Sequence, residues 1–218
     1  HNGATLTKRM RKATVMAKKL RWMKLSRARK EHIIRSNILP AGLYGVEAAH
    51  INMNALNALR SAVAKVIGPT SAKRSVDMAF NCTIAAKDLD PLVHIMYLRV
   101  IGIRRAMVTN NMSADNINKI LNEYKDKGDG QNEARASGPS AFWREEGVLL
   151  TDSGKDDAET ICHDGPLSML IDDIEACGCW MDQKLNVHAE GEVPIDLINM
   201  LIQHLRNAIY EMVIRQRN

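Results

Sequence analysis

Lys8, Arg9, Arg11, Lys12, Lys18, Lys19, Arg21, Lys24, Arg27, Arg29, Lys30 and Arg35 crowd the first 36 residues, which hold a single acid, Glu31. Cations repeating at one- and two-turn spacing match phosphates spaced along a nucleic-acid backbone, where affinity comes from counterion release. A merely solvated helix face would interleave Glu with Lys for pairing, and that interleaving is missing. Lys8, Arg11, Lys12, Lys18, Lys19, Lys24, Arg27, Lys30 and Arg35 are therefore the expected backbone contacts. Base stacking is not expected, because Trp22 is the only aromatic in the arm and stacking platforms use several rings. The competing reading docks the same cations on acidic protein.

Other groupings carry less chemistry. Asp172 and Asp173, in "LIDD", imitate a two-carboxylate metal turn. Leu167, Leu170, Ile171, Ile174 and Cys177 recur with helical spacing, which places both carboxylates on a solvated face. Cys162, His163, Cys177, Cys179 and His188 lack a zinc-finger or knuckle spacing and read as buried thiols and scattered histidines. "GDG" at 128–130 leads into linker rather than a phosphate-binding loop. His32, His50, His94 and His204 pair with no evident nucleophile. No catalytic residue, metal ligand or cofactor is expected, and the chain is not read as an enzyme on its own.

The charge is split along the chain. Residues 1–111 carry 20 Lys/Arg against 5 Asp/Glu, and residues 112–218 carry 10 against 20. Such asymmetry suggests a polyanion partner for the first half. Four cysteines and no secretory signal point to a reduced, intracellular setting, in the nucleus or an organelle. No uncharged apolar run is long enough to span a bilayer.

The elements that must position the cations are helical. Met10, Ala13, Ala17 and Leu20 form one stripe of a helix over Thr7–Leu25. Ser26 is a fitting cap for a second helix with Ile33, Ile34 and Ile38 facing inward. Pro40 breaks or kinks it near 36–39, and Ala41–Ala49 resumes on a new axis. Gly42 and Gly45 permit a neighbouring backbone to approach, while Tyr44 locks the kink with its ring in the core and its hydroxyl bonded to Glu47 or a neighbouring helix. Asn54 caps a helix carrying Leu56, Leu59, Val63, Val66 and Ile67, ended by Gly68-Pro69. Further helices are expected over Ser71–Phe80, from Asp90-Pro91 onward, over Ser113–Lys125, over Pro166–Cys177 and over Asp196–Arg215. A short hairpin precedes the last, and Gly/Ser/Asp/Lys-rich linker fills the middle.

The segment from Arg35 through Ile38-Leu39-Pro40, Leu43-Tyr44-Gly45 and Glu47 resembles the "vLPxLLYGxE" box of non-LTR (LINE-type) retrotransposon reverse transcriptases. Leu56/Leu59 and Ile67/Gly68 resemble the Leu-x-x-Leu and helix end that follow it. The resemblance covers roughly residues 8–70 and implies the helical thumb, with the family's catalytic aspartates upstream of the box. The expected architecture is thus mainly α: a thumb-like basic bundle over 1–110, a helix plus acidic linker over 111–160, and a small, mostly helical C-terminal unit over 161–218. Pro40, Tyr44, Gly45 and Glu47 would hold the thumb's kink. The implied role is non-catalytic gripping of RNA or an RNA–DNA duplex. The alternative is a retroelement-derived structural subunit of a larger assembly, with proteins as partners.

Overall fold

A computed structural model describes residues 3–68, 75–83, 86–109, 113, 115–122 and 165–215. The expected central linker, Cys162 and His163 lie outside the described residues. The chain is mainly helical, and the described residues form one small sheet.

Helix α1 (Gly3–Trp22) buries Leu6, Met10, Ala13, Thr14, Ala17 and Leu20 along the stripe read from the sequence. It packs on α4 (Met53–Ile67) and on α3 (Leu39–Leu43). Helix α2 (Arg27–Ile33) starts where Ser26 Oγ accepts from the Arg29 amide at 3.3 Å. A π-helical turn, Ile34–Ile38, then leads straight into α3. Pro40 has no amide hydrogen, and its ring would strike the carbonyl four residues back in a regular helix. Widening the preceding turn moves that carbonyl aside, and the Leu39 amide bonds Ile34 O instead. The expected break near 36–39 is therefore a bulge that keeps the chain helical.

The segment from Leu39 to Ala48 differs from expectation in three ways. First, α3 stops at Leu43, and only the 3₁₀ turn Val46–Ala48 follows, so the helix expected over 41–49 does not run past Leu43. Tyr44 at φ −60°, ψ 123° and Gly45 at φ 84°, ψ 12° match a type II turn, whose third residue favours glycine. Gly45 is thus required by its dihedral, since a Cβ there would meet only Arg9 Nη1 at 3.6 Å. The close approach belongs to Gly42, where a Cβ would lie 2.6 Å from the Cβ of Ala13. Finally, the reversal turns Tyr44 outward: its ring is exposed rather than in the core. Glu47 lays its stem against Gly102 of the later helix Pro91–Val108.

Asn52, not Asn54, caps α4, accepting from the Ala55 amide at 3.0 Å. The local sequence offers both asparagines; Asn52 alone precedes the first helical residue. On α4, Arg60 pairs with Asp77 of α5 (Val76–Asn81) at 2.6 Å and approaches Asp90 to 3.5 Å. After the short α6 (Ala86–Leu89), Asp90 caps α7 (Pro91–Val108), accepting from the Leu92 amide at 3.0 Å. Helix α8 covers residues 115–122.

Helix α7 touches the α3 region and also supports α9 (Pro166–Ala176) and α10 (Ile202–Arg215), so one apolar core runs from α1 to the C-terminal helices. Between α9 and α10 lies an antiparallel meander, β1 (Trp180–Met181), β2 (Asn186–His188) and β3 (Ile195–Asp196), where the sequence suggested a hairpin. Asp196 closes a turn, accepting from the amides of Ile198 and Asn199, and this delays α10 to Ile202.

Candidate nucleic-acid interface

With 3.6 residues per turn, positions 8, 11, 12, 15, 18, 19 and 22 of α1 share the face opposite its buried stripe. Lys8, Arg11, Lys12, Lys18 and Lys19 are all exposed there, and Lys24 follows just beyond the helix. None of these six has an ion-pair partner among the described residues. The helix is about 30 Å long, so the cations form a ridge rather than a spot.

The other three expected contacts have intramolecular partners. Arg27 pairs with Glu31 at 2.8 Å, one turn along α2. Lys30 Nζ donates to Arg21 O at 2.9 Å, satisfying a carbonyl at the end of α1. Arg35 reaches Asp88 at 3.5 Å. These residues join α2 to its surroundings; of the nine expected contacts, those without an ion-pair or hydrogen-bond partner among the described residues are the five on α1 and Lys24.

At the N-terminal half of the ridge an open groove of about 580 Å³ is lined by Thr7, Lys8 and Arg11 of α1 and by His50, Ile51 and Asn52. Asn52 is the cap of α4, so the positive end of that helix dipole faces the same groove. Two cations and a helix N-terminus around one hollow favour an anion such as a backbone phosphate.

Two ring contacts on this surface have no counterpart in the expectations from sequence. Arg9 donates to Tyr44 O at 2.9 Å and its guanidinium lies 5.0 Å from the centre of the Tyr44 ring. Arg21 lies 5.1 Å from the centre of the Trp22 ring. Arg21 and Trp22 are adjacent in the chain, but the Arg9–Tyr44 contact spans 35 residues and left no local signal.

A separate cleft of about 140 Å³ lies between His50, Ile51, Met53, Arg99 and α9. Asp172 is exposed on its rim, as expected, whereas Asp173 is only 1% exposed and does not face solvent. Its Oδ2 accepts from Arg99 Nη1 at 2.5 Å, and Arg99 also donates to Met169 O at 3.1 Å. Asp173 departs from the solvated face that the period of α9 implies, because its partner comes from α7, which that period cannot reveal. Burial pushes its carboxyl up to about 6, against the opposing pull of Arg99. The two aspartates therefore diverge, one in solvent and one in a buried ion pair, and do not present a joint metal turn. Among the described residues no group of three or more His, Cys, Asp or Glu is placed to hold a metal ion.

Cys177 and Cys179 are buried thiols, as read, and Cys82 is exposed. His188 bonds Asp182 at 2.9 Å and stacks on Trp180 within the meander. His94 is buried against Arg206, and burial first, then that guanidinium, lowers it to about 4. No described helix is long and apolar enough to cross a membrane. Compared with known proteins, the chain matches no family model, no curated protein and no solved structure.

Proposed function

We propose that this chain is a non-catalytic nucleic-acid-binding module that grips a phosphate backbone, RNA or an RNA–DNA duplex, along the exposed face of α1. One observation carries the reading: Lys8, Arg11, Lys12, Lys18 and Lys19 lie on a single helix face with no ion-pair partner among the described residues. Like charges held this close repel one another and destabilise an isolated helix, so their concentration is accounted for by a polyanion that neutralises them. The groove between α1 and the start of α4 supplies a seat for a phosphate. The resemblance to a retrotransposon reverse-transcriptase thumb agrees with this role, and the intracellular compartment where nucleic acid resides follows from it.

The test is affinity for an RNA–DNA hybrid as a function of salt. Binding should fall linearly in a log–log plot, with a slope of about 0.9 per phosphate contacted. Replacing Lys12, Lys18 and Lys19 by Glu should flatten the slope and abolish binding while leaving the melting temperature in place, because all three are exposed. Affinity that is independent of salt, or unchanged in the triple variant, would refute the reading. A second reading, a retroelement-derived structural subunit bound to acidic protein, draws on Trp22, Met23 and Leu25, which are exposed beside the cations. Recovery of protein partners alone, with hybrid bound no better than heparin, would favour it.

A further inference from the structure

Two aromatic rings stand out of the cationic surface. Trp22 is 79% exposed and Tyr44 is 69% exposed, although each could bury much of its apolar area in a core. Scattered exposed apolar residues need no explanation by themselves. These two share a further feature: an arginine guanidinium lies over each ring, Arg21 at 5.1 Å and Arg9 at 5.0 Å. An arginine over an aromatic ring steadies it and leaves the opposite face open. Arg9 is additionally fixed by its bond to Tyr44 O, so this platform is tied to the type II turn.

Trp22 lies on the ridge face at its C-terminal end, and Tyr44 stands at the side of the ridge near its N-terminal end. Trp22 follows Lys18 and Lys19 at helical spacing, while Tyr44 sits beside Arg9, thirteen residues earlier on α1. At 1.5 Å per residue the two platforms are roughly 20 Å apart along the helix. A single-stranded overhang of several nucleotides is long enough to cover that span. The cations between them would follow the phosphates of the same strand.

We propose that Trp22 and Tyr44 stack unpaired bases, so that the α1 surface takes the end of a duplex carrying a single-stranded overhang rather than a fully paired stem. This rests on the backbone-gripping role above and adds a partner class to it. Bases inside a paired stem are stacked on both sides and out of reach of a side chain, whereas an unpaired base of any identity offers a face, so the preference is for unpaired structure and not for sequence.

The experiment compares three ligands at fixed salt by fluorescence anisotropy: a blunt hybrid, the same hybrid with an eight-nucleotide overhang, and that overhang made of abasic units. The abasic overhang keeps every phosphate and removes every base. The natural overhang should bind about 5- to 150-fold more tightly than the abasic one for each base stacked. Shortening it to two nucleotides should retain only one platform's share. Trp22→Leu and Tyr44→Leu should each remove one share while leaving the blunt hybrid and the salt slope unchanged, and Trp22→Phe and Tyr44→Phe should restore it. Equal affinity for natural and abasic overhangs overturns the stacking proposal while salt-dependent binding of the blunt hybrid leaves the backbone role standing. Failure to bind any of the three ligands overturns both.

Discussion

Replacing Gly42 by alanine places a methyl group 2.6 Å from the Cβ of Ala13. Carbon atoms in good contact stand about 3.5–4.0 Å apart, so the two carbons need roughly 1 Å more room. Neither can rotate away, because each Cβ is fixed to its own backbone, and α1 and α3 must separate as bodies. That movement would loosen the contacts of Met10, Ala17, Leu39 and Leu43 in the core. Overpacking of this kind costs about 1–3 kcal/mol. For a chain of this size each kcal/mol lowers the melting temperature by about 2–4 °C, so a fall of about 2–12 °C is expected. The partner substitution decides the cause. Ala13→Gly alone costs about 1 kcal/mol in helix propensity, yet combined with Gly42→Ala it merely moves the methyl from one helix to the other. The double variant should therefore be more stable than the sum of the two losses, with a coupling of about 1–3 kcal/mol. Thermal and urea unfolding of the four proteins measure it. Unchanged stability in Gly42→Ala, or strict additivity in the double variant, would show that the helices are not in tight contact here. Affinity for nucleic acid, measured where all four are folded, should change little, since the cations remain on α1.

Three further outcomes follow from the same geometry. Gly45→Ala should cost about 1–2 kcal/mol through its φ of 84°, and Gly45→Asn less, because asparagine tolerates the left-handed region; equal losses would deny a conformational cause. Asp173 has its folded pKa raised to about 6. Its contribution to stability is thus fullest below its unfolded pKa and is lost as pH rises from about 4 to 6. Urea unfolding across that range should show that decline in the wild type and not in Asp173→Asn. His94 behaves in the opposite sense: its pKa is lowered to about 4, so stability present above pH 6.5 is lost as pH falls through 4. His94→Gln should remove that acid-side loss, and a pH profile identical to wild type would contradict the burial of a neutral imidazole.

The features legible in the chain are local in origin. The stripe of α1 follows from the 3.6-residue period, and its complement, the row of cations, follows with it. Ser26 and Asp90-Pro91 announce helix starts because a short acceptor side chain and a preset φ act within one turn. The core face of α4 and the disturbance of the helix ahead of Pro40 are legible for the same reason, although its form, a π-helical bulge rather than a break, is not. The tertiary structure decided what each residue meets. Asp173 is buried because Arg99, 74 residues away, offers it a partner. Gly42 and Gly45 look alike in the chain, but only the crossing of α1 over α3 makes one a matter of space and the turn makes the other a matter of dihedral. Arg27, Lys30 and Arg35 look as free as Lys12 and Lys18 until Glu31, the end of α1 and Asp88 engage them. Tyr44 was read as interior from its apolar ring, and a type II turn set it outside beside Arg9. Periodicity and capping are encoded within a few residues, whereas pairing, crossing and exposure depend on segments that only the folded chain brings together.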